Sequence, residues 1–148
     1  MGRFNGISSA KFNEGGIYFL KGNYLIRVDK VKVGTTRMGI EFFVVECTIL
    51  ESDNPERKPK SSVSWLCMSD KDLYLANINH FCSIACDIPS EEVDEAGVEL
   101  VVSEENPLAG TILRVQATDI KTRAGKDFTK VVWKQPTVQE KAPHEKAA

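Results

Sequence analysis

The chain has 148 residues, 42% of them hydrophobic and 27% charged, the proportions of one ordinary globular domain. No apolar run approaches the roughly 20 residues of a membrane span, and Met1–Gly6 lacks the apolar stretch of a signal peptide, so a cytoplasmic chain with reduced thiols is expected. The formal net charge of −2 is unevenly spread: residues 87–105 hold eight of the 21 acids and no lysine or arginine, leaving 19 bases against 13 acids elsewhere.

Residues 1–14 are polar and aperiodic and read as a flexible arm. Tyr24, Ile26 and Val28 then alternate with polar or opposite-face residues, which predicts a strand with one buried face. The apolar phase shifts to Val31 and Val33, which predicts a bulge or bend. Gly34–Gly39 reads as a turn. A second strand carries Phe43, Val45, Cys47 and Ile49 on one face. After the polar loop 52–60, Val63, Trp65 and Cys67 alternate with serines in a third strand. Ser69 and Asp72 give a capping-box-like start to a helix whose apolar positions are Leu73, Tyr74, Ile78, Phe81, Cys82 and Ala85, closed by Pro89. The acidic stretch to Glu105 is a long connection with at most a short helical turn. Leu113, Val115 and Ala117 mark a fourth strand, 122–126 a turn, and Phe128–Lys134 a fifth strand ended by Pro136. Residues 137–148 are polar and rich in Ala, Lys and Glu, and an unstructured tail is expected.

Three strands, a helix and two strands are the element order of an all-β, five-stranded Greek-key barrel of the OB type, here spanning 15–136. Such barrels bind oligonucleotides on strands two and three and on the loops joining strands one–two and four–five. An internal repeat falls at those two loops: Thr36-Arg37-Met38-Gly39-Ile40-Glu41-Phe42 and Thr122-Arg123-Ala124-Gly125-Lys126-Asp127-Phe128 share T-R-x-G-x-acid-Phe. With the odd-numbered residues of the second strand in the core, Phe42 and Phe128 point outward beside an arginine, the pairing that base stacking and phosphate contact require. Lys30, Lys32, Arg37, Lys121, Arg123, Lys126 and Lys130 gather on or beside these loops. The competing reading is plain hairpin chemistry, with Gly at a positive-φ site and solvated polar neighbours.

Trp65, Trp133, Tyr24 and Phe43 read as core. Cys47, Cys67 and Cys82 lie on apolar faces and read as small hydrophobes. His80-x-Cys82-x-x-x-Cys86 lacks the C-x-x-C spacing of structural zinc. No hydrolase, zinc-protease, phosphate-loop or dinucleotide motif is present, so neither enzyme chemistry nor a cofactor or metal is expected.

Over residues 15–134 the pattern resembles bacteriophage single-stranded-DNA-binding proteins of the OB-fold type. The resemblance rests on Gly22-x-Tyr24, the T-R-x-G-x-Glu-Phe hairpin, the helix from Leu73 to Ala85 and the hairpin from Gly110 to Trp133. It implies sequence-independent coating of single-stranded DNA, with RNA as the alternative ligand, during phage replication and recombination in a host cytoplasm, alongside replication or recombination proteins. The family's acidic C-terminal tail is not matched, since 139–148 holds two acids and two lysines. The rival expectation on the same barrel is a protein-interaction or virion-assembly module.

Overall fold

The computed structural model describes residues 18–71, 73–121 and 127–147, with the side chains of 121, 127, 128 and 144–147 outside the description. The arm expected at 1–14 lies outside it. Five antiparallel strands form one sheet in the order β3-β2-β1-β4-β5: β1 Gly22–Thr35, β2 Glu41–Ser52, β3 Ser62–Met68, β4 Ile112–Lys121 and β5 Asp127–Lys134. β1 pairs with β2 from Tyr24 to Thr35 and with β4 from Gly22 to Arg27. The apolar phase shift from Val28 to Val31 coincides with a register shift between Val28 and Lys30. The bulge returns Val31 to the core, where it is fully buried.

The expectation of a closed, all-β barrel is corrected: the architecture is mixed α/β, and the sheet ends on β3 and β5. Among the described residues no ladder joins those edges; side chains span the seam instead. Helix α1, Tyr74–Cys86, sets Phe81 between Trp65 of β3 and Trp133 of β5, with ring centroids 5.8 and 4.8 Å apart, while the two indoles approach to 5.3 Å. The Phe81–Trp133 and Trp65–Trp133 contacts are edge-to-face and the Trp65–Phe81 contact is tilted, and aromatic pairs contribute about 0.5–1.5 kcal/mol each beyond area burial. The Trp133 N–H at the β5 edge donates to His80 Nε2 of α1 at 3.2 Å. The donor that a closing strand would need is thereby already engaged. Trp65, Trp133, Tyr24 and Phe43 are all buried, as their strand phase implies.

The helix does not start on a side-chain cap. Its N-cap residue is Leu73, and of the expected pair Ser69 is in a turn while Asp72 lies outside the described residues. It stops at Asp87, which takes a left-handed φ of 56° and closes a C-terminal motif with Ile88 N–H on Ser83 O at 3.0 Å, two residues before Pro89. The acidic connection is more ordered than its composition suggests. It contains a 3-10 turn, Ser90–Glu92, and a helix α2, Glu95–Val101, capped by Asp94 accepting from Gly97 N–H at 2.8 Å. Residues Val138–Ala147 form helix α3, where an unstructured tail is expected from composition. Thr137 and Glu140 form a reciprocal capping box, and Glu140 also pairs with Arg114 of β4. No described helix is long and apolar enough to cross a membrane.

Beyond Arg27 the β1 edge loses β4 as a partner. Val28 is satisfied by Thr111 O at 2.7 Å and by Gly110 N–H at 2.6 Å. Val31 is satisfied by one side chain: Asn106 Oδ1 accepts its N–H and Nδ2 donates to its carbonyl, both at 2.7 Å. Asn106 holds a left-handed φ of 44°, which asparagine tolerates better than most residues. Asn106→Ala strands both Val31 groups and should destabilise the fold by about 1–3 kcal/mol in a denaturant titration; an unchanged midpoint would show the clamp to be energetically idle.

His80 gives a pH signature. Burial, and then the Lys130 charge, hold its pKa below the ordinary 6.5, which favours the neutral ring that accepts from Trp133. The unfolded chain takes up the proton at the higher pH, so this contribution is complete above about 6.5 and is lost as pH falls from there through the folded value. Thermal unfolding between pH 7.5 and 5 should show a declining Tm whose slope is flattened in His80→Gln; equal slopes would refute the coupling.

Candidate nucleic-acid interface

Alternation along β1, β2 and β3 leaves a second face opposite the core. The ladders align it in rows: Gly34, Phe42 and Met68; then Lys32, Val44 and Leu66; then Lys30, Glu46 and Ser64; with Thr48 and Ser62 beyond. The first two rows are apolar apart from Lys32, with Val44 itself buried among half-buried neighbours, and charge and hydroxyls follow. Leu66 and Met68 were not among the residues expected from sequence. Their signal lay in the same alternation that assigned Ser62 and Ser64 to this face, continued past Trp65.

Phe42 sits on this face, half-buried, as its phase predicts. Its ring lies over the backbone of the cross-strand glycine: a Cβ on Gly34 would fall 2.4 Å from Phe42 Cζ. An aromatic covering a cross-strand glycine is a sheet-stabilising device. It also fixes the ring's position.

The adjoining turn explains much of the T-R-x-G pattern. Gly39 takes φ 82° and donates its N–H to Thr36 O at 3.0 Å, while Thr36 Oγ1 accepts from Ile40 N–H at 3.1 Å. Thr36 and Gly39 thus shape the turn, which leaves Arg37 and Met38 exposed at its tip. The hairpin reading accounts for two of the motif's residues, Thr36 and Gly39.

The cations are less uniform than their sequence clustering implies. Lys30 is exposed opposite Glu46, while Lys32 is ion-paired to the same Glu46 at 3.1 Å. Lys130 is exposed on β5, two strands from β2 across β4 and β1, and its charge acts on His80. The backbones of Lys121 and Phe128 lie at the end of the β4–β5 ladder, with Phe128 opposite Ile120; their side chains, and all of Arg123 and Lys126, lie outside the described residues. The first repeat copy and the described end of β4 lie toward opposite ends of β1. The first leaves the sheet past Thr35, at the C-terminal end of β1, while β4 runs four residues past the Gly22–Ala117 pair, beyond the N-terminal end of β1.

Among the described residues the buried thiols are not activated. Burial pushes the Cys67 and Cys82 thiols up to about 12 and the Cys47 thiol well above its ordinary value, so all three are protonated at neutral pH. His80 is turned to Trp133 N–H, while Cys82 is in the core and Cys86 is exposed, so the three do not share a ligand centre. No protein-family model matches the chain, and no curated protein matches it.

The Gly34–Phe42 contact can be tested without a ligand. Gly34→Ala should cost about 1–3 kcal/mol by overpacking against the ring, and in Gly34→Ala/Phe42→Ala the cost should shrink. Strictly additive effects in that double-mutant cycle would mean the ring does not rest on Gly34.

Proposed function

We propose that this chain binds single-stranded nucleic acid, most simply single-stranded DNA, without catalysing a reaction, using the outer face of β1–β3 in the manner of an OB-type fold. The observation that carries the reading is Phe42, fixed over Gly34 and flanked by the half-buried Met68 and Leu66, next to the turn that exposes Arg37. A base can stack on an aromatic or slide over an apolar strip whatever its identity, so such a face is sequence-tolerant. Arg37 and Lys30 would meet phosphates at its margin. The order β3-β2-β1-β4-β5, with the helices between β3 and β4, supports the OB kinship, with the seam between β3 and β5 filled by α1. A role in covering exposed strands during phage replication or recombination, in a host cytoplasm, follows from the resemblance in sequence.

A second reading has its own observation. Met38, Leu73 and Leu75 are more than 60% exposed, and Val33 nearly half, an apolar excess suited to a protein partner in an assembly.

Fluorescence anisotropy with labelled oligo-dT, competed by duplex DNA and by single-stranded RNA, separates the two. Salt-sensitive binding that duplex does not displace is expected. Phe42→Ala should then weaken it by about 1–3 kcal/mol, and Arg37→Ala should reduce the salt slope by about 0.7. No binding at low salt would transfer the function to protein interaction.

A further inference from the structure

We infer that the β2–β3 connection supplies a second phosphate-contacting end to the same face through Lys58 and Lys60, so that a bound strand runs along β2–β3 from the Phe42 row to this loop. The inference rests on the single-strand reading above and adds a path and a footprint to it.

The sequence pattern directs attention to the loops joining β1–β2 and β4–β5, and this connection carries no part of the repeat. Its charges are nevertheless sorted. The acids Glu51, Asp53 and Glu56 come first, and Arg57, Lys58 and Lys60 follow at the entry to β3. Asp53 is turned back to the start of β1, accepting from the Asn23 backbone N–H at 2.8 Å and from Asn23 Nδ2 at 3.0 Å. Arg57 is anchored inward, its Nε donating to Tyr18 O at 2.9 Å. Lys58 and Lys60 are exposed, and neither forms an ion pair with a described carboxylate, in contrast to Lys32 with Glu46.

The loop is also held in one shape. Lys60 N–H donates to Ile49 O at 2.7 Å, Ile49 N–H to Ser61 O at 2.9 Å, and the Ser61 hydroxyl to Lys58 O. Lys60 itself has a φ of 74°. These bonds carry the β2–β3 ladder past its last strand pair, Thr48–Ser62, and so place the lysines at the end of the strands whose outer face holds Phe42, Leu66 and Met68. Six residue steps separate the Phe42–Met68 row from the Thr48–Ser62 row, about 20 Å at ~3.3 Å per residue. Cations at one end and an aromatic platform at the other define a track longer than a single base, which a polyanion of matching extent would follow.

The test uses the whole protein and two labelled dT oligonucleotides, one of about 2 nucleotides, too short to reach both ends of the track, and one of about 16, the upper limit of common OB-fold site sizes. The variant is Lys58→Gln/Lys60→Asn, since asparagine accepts the left-handed backbone at position 60. Lys58→Gln alone touches no constrained backbone and guards against misfolding, which circular dichroism also checks. For the long oligonucleotide the salt slope should fall by about 1.4 in the double variant and about 0.7 in the single one. The short oligonucleotide should bind the double variant as it binds wild type, while Phe42→Ala weakens both. Unchanged slopes at both lengths would overturn the inference and leave the single-strand reading intact. Equal weakening at both lengths would overturn it too, because the lysines would then act only as a general field. Failure of the wild-type protein to bind either oligonucleotide would remove the reading and this inference together.

Discussion

β1 must pair on both sides with partners that do not share its length. It has fourteen residues; β2 follows almost all of them and β4 stops at Arg27. A buried strand edge cannot simply run out of hydrogen-bond partners. The bulge after Val28, the Gly110–Thr111 turn and the Asn106 side chain together supply what β4 no longer does. The rest of the molecule is arranged around this solution. It fixes where the sheet curves, which face Lys30 and Lys32 occupy, and where the acidic connection comes to rest. Asn106 pins that connection to the β1 edge, so Glu104 and Glu105 lie within two residues of the contact with Val31, between Lys30 and Lys32 in sequence.

Side chains close this fold where hydrogen bonds would close a barrel. Phe81 and the two indoles fill the seam between β3 and β5, and His80 accepts from the backbone N–H of Trp133. A seam of rings tolerates small changes in the distance between strands that a hydrogen-bonded ladder does not. The dependence is shifted onto α1, because the sheet edges are held only while the helix keeps Phe81 and His80 in register. The neutral state of one imidazole is therefore part of the tertiary structure.

What the sequence made legible was local. Period-two alternation marked all five strands, helical spacing marked α1, and the change of phase at Val28–Val31 marked a bulge before any partner was known. The features it left hidden depend on register between distant segments. Gly34 meets Phe42 only once β1 and β2 are aligned, and the same alignment delivers Glu46 to Lys32 and removes one cation from the expected cluster. Leu66 and Met68 join the face only when β3 is added. Barrel closure was the largest error, because element order carries no information about whether a helix will occupy the seam. The C-terminal helix was a different kind of miss: Thr137-x-x-Glu140 is a readable capping box, outweighed by the polar composition around it.

The repeat takes on a narrower meaning in three dimensions. In its described copy Thr36 and Gly39 are committed to the turn, so the match between copies is partly a match of hairpin chemistry. One side of the Phe42 ring is likewise committed, to the Gly34 backbone. That commitment does not work against a binding role. A phenyl ring free to change rotamer loses conformational entropy when a base stacks on it, typically about 0.5–1.5 kcal/mol per immobilised side chain at an interface. A ring already seated on a glycine has met that cost during folding. The feature that makes Phe42 look structural is the one that would make it an efficient platform, and the stabilising and functional accounts of this residue are two consequences of one contact.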